Sequence, residues 1–567
     1  MEFGKFKDIK YERPNFKELK KEMNSLNKTL KNAKSYEEFR DAYLEYQEKM
    51  KHVSTMLSIS SIRNTIDTND KFYEDEEKYL NSASGTVAMA SLKLTKTIVN
   101  CPFKKEINEE FGPILLQTLE NNQKLMSMKI IFLMIKEGTL SQKYSKVVAN
   151  AKVDFKGEEC NFYGLLKHMQ STDREERKEA FNKWADLYES ISGELDDLYT
   201  GLVNLRVKTA KKLKFDSFID YVYLQRGRYD YKAKDVEVFR EEVRKYIVPI
   251  CERLYNEQKE DLGIDELHFY DEELTFKDGN PVPMGDTATL VKKAQEMYHG
   301  LSKETGEYFD FMVEHELFDL ETRKGKHMGG YCTYLPDYAA PFIFSNFNGT
   351  SADVDVLTHE AGHAFQGYLG FRNIKVMSEV SSTSEINEIH SMTMEHFTYP
   401  FMELFFLDKA DKYRYHHLVK SLEVIPYLVS VDEFQHRIFE NPTMSPMDRR
   451  QVWHDIEKKY MPWRDYDGNK FLSEGGFWMQ KQHIFLYPFY YVDYALAATC
   501  AYQLFLRSLD NKEEAWNDYM HLCLAGGTKG YFDLLEVANL KNPFKEGTVK
   551  DIALRIEEVI KDFKAKL

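Results

Sequence analysis

The stretch Val356–Phe365 contains the pattern His-Glu-x-x-His, and this pattern constrains the 567-residue chain more than any other feature. Residues four apart on an α-helix leave the same face, so the imidazoles of His359 and His363 can bind one metal ion. Glu360 follows His359 directly and can reach a water on the metal without being a ligand. Zinc suits this arrangement, because catalytic zinc sites combine three protein donors with one open position. The pattern therefore predicts a helix that carries a metal site.

A third protein donor is needed, and the segment 381–397 is the next part of the chain that offers one. The metzincin pattern, which has a third histidine six residues after the second, fails because position 369 is a leucine. Two carboxylates of the segment, Glu388 and Glu395, are seven residues apart and share a helix face, which allows one ligand and one supporting residue. Spacing leaves the choice open among five candidates: Glu385, Glu388, His390, Glu395 and His396.

The composition describes a globular protein and argues against nucleic acid as a partner. Hydrophobic residues make up 43% and aromatic residues 14% of the chain, a composition that disfavours disorder. The 77 basic and 92 acidic residues give a net charge of −15, whereas binding to phosphates requires basic patches. The chain has no run of about 18 apolar residues that would predict a transmembrane helix, so we expect no membrane partner.

The predicted location is the cytoplasm. Residues Met1–Lys5 lead into a charged segment, whereas a secretory signal would continue into an apolar one. The six cysteines are scattered without a Cys-x-x-Cys pair, so they predict neither a disulfide framework nor a thiolate metal site. A reducing compartment fits this use of cysteine.

The spacing of apolar residues predicts a mostly α fold. Helical periodicity marks the stretches 14–31, 35–66 and 173–212, and 151–165 is typical of a short hairpin. The length of the chain predicts two to four lobes. The expected regions, with soft boundaries and interleaved lobes, are an N-terminal helical region 1–150, a helical middle region 151–325 and a zinc-binding catalytic region 326–567.

Two strands are predicted just before the metal helix, at 331–335 and 341–347, with Asn348-Gly349 as the following turn. A small sheet in this position could pair an extended peptide by strand addition and hold a peptide bond against the metal. A purely structural hairpin explains the same pattern equally well. We expect Gly367 and Gly370 to weaken and end the metal helix.

Several stretches resemble the thimet oligopeptidase and oligoendopeptidase F family of zinc peptidases, in its Pz-peptidase-like bacterial branch. The family has glycine in fourth place of the motif, as His359–His363 does, and its glutamate ligand follows the second histidine by 25 residues, a distance that points to Glu388. The similarity runs from about residue 150 to the C-terminus. Further similar stretches are Arg323–Lys326, Gly329–Cys332, Phe347–Thr350, Leu524–Thr528, Val153–Glu159 and Thr172–Arg174.

The resemblance implies a two-lobed helical metallopeptidase with a deep central channel that admits short, unfolded peptides. It implies one zinc ion per chain, held by His359, His363 and Glu388, with Glu395 supporting a histidine ligand. Glu360 would act as the general base while a metal-bound water attacks the peptide carbonyl.

The segment 483–494 supplies candidates for stabilising the oxyanion that forms during this attack, because tyrosine hydroxyls can donate to it. Pro488 is expected at the first position of a helix that runs to about residue 507. In the family, a histidine and several tyrosines of a C-terminal segment line the site. The histidine-to-tyrosine spacing there is one residue longer than here. This difference leaves the register open, so Tyr490 is an alternative to Tyr491. The residues expected to contribute are His483, Tyr487, Tyr491 and Tyr494.

The predicted function is that of a zinc metalloendopeptidase acting on short peptides. One alternative is a zinc exopeptidase, either a carboxypeptidase or a dipeptidyl carboxypeptidase, which would need a charged pocket for a chain terminus. The other is a non-catalytic, peptide-binding helical scaffold that retains the motif. Cleavage of end-blocked peptides separates the first alternative from an endopeptidase, and dependence of hydrolysis on Glu360 excludes the second.

Overall fold

The computed structural model describes residues 4–567, with the backbone alone at Ser84. The expectation that the N-terminus carries no secretory signal rests partly on Met1–Phe3, which lie outside the described residues. Helices dominate and the sheets are small, which confirms the mostly α fold class. Within residues 4–567, no helix combines the length and the apolar character needed to cross a membrane.

The first half of the chain is built from long helices and one small hairpin. Its helices are α1 Phe16–Asn32, α2 Tyr36–Ile66, α3 Lys71–Val99, α4 Lys104–Phe111, α5 Pro113–Leu125, α6 Ile131–Asn150, α7 Phe162–His168, α8 Arg174–Lys212, α9 Phe218–Gln225, α10 Ala233–Glu242, α11 Val248–Leu262, α12 Thr287–Leu301 and α13 Lys303–Glu314. The strands of the whole chain are β1 Val153–Phe155, β2 Glu158–Cys160, β3 Phe318–Glu321, β4 Tyr331–Leu335 and β5 Ala340–Phe347. The predicted helices over 14–31, 35–66 and 173–212 are confirmed as α1, α2 and α8, and the hairpin as β1–β2.

The second half is helical from the end of β5 onward. Its helices are α14 Ala352–Asn373, α15 Ser384–Phe397, α16 Glu403–Phe406, α17 Ala410–Glu423, α18 Ile425–Glu440, α19 Pro446–Tyr460, α20 Lys470–Ser473, α21 Gln482–Leu486, α22 Tyr491–Asp510, α23 Lys512–Ala525, α24 Tyr531–Val537 and α25 Thr548–Lys564.

The chain forms two compact units, and each unit collects three separate stretches of sequence. Unit 1 contains the residues up to Lys124, together with Val282–Ala410 and Ala501–Leu540. Unit 2 contains Leu125–Pro281, Asp411–Cys500 and Lys541–Leu567. The predicted region boundaries near 150 and 325 stay predictions.

A three-stranded sheet in unit 1 lies directly before α14 in the chain. Its order is β3-β5-β4, so β4 is an edge strand. The predicted hairpin is confirmed, since β4 and β5 pair antiparallel with Cys332 opposite Ile343. Sequence reasoning missed β3, which pairs parallel to β5. The strand β3 escaped prediction because it has only four residues and because its parallel partner β5 is not the next strand in the chain.

Two predicted helix limits are wrong. The helix α14 continues past Gly367 and Gly370 to Asn373, because these glycines allow close packing. A Cβ at 367 would lie 2.0 Å from the ring of Tyr334, and one at 370 would lie 2.9 Å from Val380. The helix α22 begins at Tyr491 and not at Pro488, since the intervening Phe489 has a positive φ of 62° that a right-handed helix cannot contain.

Candidate metal centre

Three donor atoms from two neighbouring helices of unit 1 meet at the centre of the site. His359 and His363 lie one turn apart on α14, with ring centroids 5.1 Å apart. Glu388 Oε2 on α15 lies 3.3 Å from Nε2 of His359 and 3.4 Å from Nε2 of His363. Among the described residues, these three side chains are the one group of histidine, cysteine and carboxylate donors with its ligand atoms within 4.8 Å of one another. Two imidazoles and one carboxylate are the donors of a catalytic zinc site.

The fourth residue of the motif, Gly362, lets α15 approach α14 closely. A Cβ at position 362 would lie 2.6 Å from Ser391 Cα and 2.7 Å from the carbonyl oxygen of His390. Both distances are shorter than any ordinary carbon contact, so no other residue fits without separating the helices. The Ser391 hydroxyl lies 3.1 Å from Glu388 Oε2 and 3.0 Å from the Glu388 carbonyl oxygen, and either oxygen can accept its hydrogen bond. The same contact therefore sets the distance between the helices and orients the carboxylate.

The remaining candidates of segment 381–397 occupy distinct places. Glu395 accepts a hydrogen bond of 2.5 Å at Oε1 from His359 Nδ1, which leaves Nε2 of that ring directed at Glu388. Glu385 is buried and is not one of the three grouped donors. His390 is buried, and burial lowers its pKa to about 3. His396 packs against the rings of Tyr502 and Phe505. The structure thus brings Glu388 to the donor group and Glu395 to its support.

Electrostatic interactions in the site favour charge on the His359 ring. Burial by itself lowers the pKa of His359, but hydrogen bonds to Glu388 and Glu395 outweigh it and raise this pKa well above 6.5. The same carboxylates would favour a metal cation, which binds at the imidazole lone pair in place of the proton. Burial raises the pKa of Glu360, against the opposing effect of the two histidines. Glu360 is therefore a stronger proton acceptor than an exposed glutamate.

The loops that enter α14 are fastened by buried polar groups. Lys326 Nζ forms an ion pair of 2.6 Å with Asp319 Oδ1 and donates to the carbonyl oxygens of Asp319 and Glu321 at 3.0 and 2.9 Å. At the start of α14, the Asp353 carboxylate accepts from the backbone N–H groups of Asn348 and Gly349 at 2.9 and 2.8 Å. The Lys326 contacts hold the β3–β4 connection on the sheet, and the Asp353 contacts join the turn after β5 to the first turn of α14.

The Leu524–Thr528 stretch holds the segment that leads into α15. Gly527 N–H donates to the Glu379 carbonyl oxygen at 2.8 Å. A Cβ at 527 would lie 2.4 Å from the Ser381 carbonyl oxygen, and one at 526 would lie 2.7 Å from that of Val380. The two glycines are needed because backbone packs directly against backbone here.

The tyrosine segment forms an aromatic cluster in unit 2. Four tyrosine rings surround the imidazole of His483, with centroid distances of 5.8, 5.7, 4.8 and 6.5 Å for Tyr487, Tyr490, Tyr491 and Tyr494, respectively. The cluster therefore includes Tyr490, the competitor, as well as Tyr491. Tyr487 is the most exposed of the four, with 53% of its surface accessible.

A buried ion-pair clamp holds this cluster, and sequence reasoning missed it. The carboxylate of Asp493 accepts from Arg226 at 2.6 Å and from Arg228 at 2.5 Å. Arg228 also donates to the Phe489 carbonyl oxygen at 2.6 Å, and Arg226 lies over the ring of Tyr490, 4.7 Å from its centroid. The available signal was the single carboxylate within an aromatic run, at Asp493, together with the Arg-Gly-Arg triplet at 226–228.

Comparison with known protein families identifies the chain. The model of the peptidase M3 N-terminal domain matches residues 6–126, and that of peptidase family M3 matches residues 167–554. The chain belongs to peptidase family M3. It is therefore a peptidase, of a family whose members are generally metallopeptidases.

Relatives of this M3 peptidase match more than nine tenths of its length. The oligoendopeptidase F homologue of Borreliella burgdorferi is 22% identical over 92% of this chain and 94% of its own. The structure of PZ peptidase A with an inhibitor is 43% identical over 99% of this chain and 100% of that chain, with a TM-score of 0.94. The oligoendopeptidase F of Enterococcus faecium, 17% identical over 97% and 98% of the chains, shares the fold with a TM-score of 0.64.

Replacing Gly362 by alanine tests the close helix contact. We expect Gly362→Ala to lower the free energy of unfolding by roughly 1–3 kcal/mol, because the added methyl group overpacks the contact with α15. It should also weaken metal binding by moving Glu388 away from the histidines. Chemical denaturation and a metal titration measure the two effects.

Gly193→Ala provides the matched control for this substitution. Gly193 lies in α8, and a Cβ there would meet no atom within 4 Å. We expect the free energy of unfolding of this variant to rise by about 0.4–1 kcal/mol, since alanine restricts the unfolded chain and causes no clash in the folded one. Equal effects of both substitutions would contradict the proposed role of Gly362.

Replacing Glu395 by alanine tests the support of His359. We expect metal affinity to fall roughly 10- to 100-fold, because removing the outer hydrogen-bond partner of a histidine ligand frees its ring orientation. Competition with a chromophoric chelator measures the affinity. Glu304→Ala, at an exposed position of α13 in the same unit, should leave it unchanged. Unaltered affinity in Glu395→Ala would overturn the supporting role.

Proposed function

We propose that this M3 peptidase is a zinc-dependent endopeptidase that hydrolyses internal bonds of short, unfolded peptides. The observation that carries the proposal is the group of His359, His363 and Glu388, whose ligand atoms lie within 4.8 Å of one another. The donor chemistry fits zinc, since two neutral imidazoles and one carboxylate leave a position open. Membership of family M3 supports peptides as the substrate class.

Each protein group of the site has a proposed task. The two imidazoles and the Glu388 carboxylate would hold one zinc ion, which supplies Lewis acidity for polarising a carbonyl and lowering the pKa of a water. Glu395 keeps His359 in one orientation through its hydrogen bond to Nδ1. Ser391 does the same for Glu388. The histidines must be neutral to act as ligands, so protonation at low pH competes with the metal.

Glu360 is proposed as the general base and then the general acid. It follows the first histidine on α14 and is not one of the three grouped donors. Its carboxylate would take a proton from the attacking water and pass that proton to the leaving amine. Burial raises its pKa, which brings it closer to the working pH and makes both transfers easier.

The edge strand β4 is proposed to position the peptide. Its one strand partner among the described residues is β5, so the backbone of Tyr331–Leu335 has a second edge. An extended peptide can add to such an edge through backbone hydrogen bonds that are independent of its side chains. This would orient a peptide bond while accepting varied sequences, as an oligopeptidase requires.

His483 and the tyrosines around it are proposed to stabilise the oxyanion. Their hydroxyl groups are donors of the kind that serve this role in acyl transfer. The clamp of Asp493 with Arg226 and Arg228 supports the proposal, because buried ion pairs that fix a segment reduce the reorganisation needed during the reaction. The predicted contributors remain Tyr487, Tyr491 and Tyr494, with Tyr490 as the competitor. A cytoplasmic location stays part of the proposal.

The decisive experiment compares wild type, Glu360→Gln and Glu388→Ala on an internally quenched, end-blocked peptide of about ten residues, a length that spans several subsites. We expect wild type to cleave the peptide. Glu360→Gln should retain metal and lose activity, because the proton acceptor is gone. Glu388→Ala should lose metal, as measured by elemental analysis.

Other outcomes lead to different assignments. Cleavage of an unblocked peptide but not of the blocked one would replace the endopeptidase by an exopeptidase. Full metal retention in Glu388→Ala would mean that the third ligand was misassigned. Undiminished hydrolysis by Glu360→Gln would exclude Glu360 as the general base.

Single phenylalanine substitutions test the tyrosines. Removing a hydroxyl that donates to the oxyanion should lower kcat about a hundredfold or more and change KM little, because the interaction exists in the transition state. We expect this loss at one or two of the positions 487, 491 and 494. Tyr490→Phe is the comparison that decides the register. An unchanged kcat in all four variants would exclude the segment from catalysis.

A further inference from the structure

Unit 2 contains a cavity of about 470 Å³ with largely aromatic walls. Its rings form a connected chain: Phe162 stacks on Tyr188 with centroids 3.8 Å apart, and Tyr188 meets the edge of Trp184 at 4.9 Å. Phe269 and Phe477 continue the wall, with centroids 5.3 Å apart. The volume lies within the usual range of small-molecule sites, and such walls favour an aromatic or other flat apolar group.

Two buried polar atoms of the cavity walls lack partners. Trp184 is 2% exposed and its Nε1 has no hydrogen-bond partner within residues 4–567. Glu423 is 5% exposed and its Oε1 has none, although its other oxygen accepts from Lys420 at 2.7 Å. Buried donors and acceptors are normally paired. Both residues line the cavity, so its walls carry polar as well as aromatic groups.

The charged side chains of the walls differ in how they are paired. Arg464 binds Glu272 in a two-point ion pair, and Lys420 binds Glu423. Glu273 is exposed. Lys481 has no carboxylate within ion-pair distance among the described residues.

Lys481 is held by two aromatic rings. Its ammonium lies 5.5 Å from the centroid of Tyr427 and 4.8 Å from that of Tyr491. These contacts place a positive charge at the cavity without neutralising it. A ligand carboxylate would be the missing counter-charge.

We infer that this cavity binds the C-terminal residue of a peptide, with an aromatic side chain between the rings and the α-carboxylate on Lys481. The site would select peptides or cleavage products that end in an aromatic residue. The inference rests on the proposed function in taking a peptide as the ligand. It does not require the metal, because none of the three metal donors lines the cavity, although His483, which is proposed to act on the oxyanion, does line it.

Calorimetry on the full-length Glu360→Gln protein, stripped of metal by a chelator, tests the inference. The probes are N-acetyl-Gly-Gly-Phe, its C-terminal amide and N-acetyl-Gly-Gly-Ala. We expect the free acid to bind at least tenfold more tightly than the amide, since a charge-assisted hydrogen bond is lost in the amide. The phenylalanine peptide should bind at least tenfold more tightly than the alanine peptide, because it buries a ring.

Variants assign the effect to the cavity. Lys481→Met should abolish the preference for the free acid, whereas Lys470→Met, at a side chain 84% exposed in the same unit, should keep it. Tyr163 lines the cavity and is 59% exposed. Tyr163→Ala should therefore lower the affinity for the phenylalanine peptide several-fold without unfolding the protein.

The inference would be overturned by equal affinities for acid and amide, by a preference that survives Lys481→Met, or by the absence of saturable binding to the metal-free protein. Failure of the proposed function would show instead in the cleavage of the blocked peptide. The two failures are distinguishable, because this binding is measured without turnover.

Discussion

The close contact between α14 and α15 is the constraint on which the site depends. Gly362 leaves no side chain between the helices, so the backbone of His390 and Ser391 packs directly on α14. This distance lets the Glu388 carboxylate reach both imidazoles. A metal site tolerates little error in donor positions, and a rigid helix pair provides that accuracy better than loops would.

The surroundings of the helix pair reinforce the same geometry. Two of the three proposed metal ligands have an outer partner: Glu395 for His359 and Ser391 for Glu388. The glycine pair at 526–527 seats the segment that enters α15, and Lys326 fastens the strands that precede α14. Buried polar groups are costly unless paired, so these contacts stabilise one arrangement of the site and disfavour others.

Unit 2 uses buried charge in a comparable way. Asp493 is paired with two arginines and holds the segment that carries the tyrosines. In the aromatic cavity of the same unit, Lys420 and Arg464 are paired with carboxylates, whereas Lys481 is held by ring faces. This difference separates charges that maintain the fold from one that is available to a ligand.

The sequence by itself determined the local features. Helical periodicity predicted α1, α2 and α8, the alternating stretch predicted the β4–β5 hairpin, and the motif placed His359, Glu360 and His363 on one helix. These features depend on neighbours a few residues apart, whose geometry is set by the period of the backbone.

Tertiary structure decided what depends on distant residues. Spacing left five candidates in the segment 381–397 open, and the resemblance pointed to Glu388. The packing of α15 on Gly362 then brought Glu388 to the histidines, and Glu395 to the outer nitrogen of His359. The parallel strand β3, the extension of α14 beyond its glycines and the Asp493 clamp escaped prediction for the same reason. Each requires a partner far away in the chain, and periodicity along the sequence carries no information about that partner.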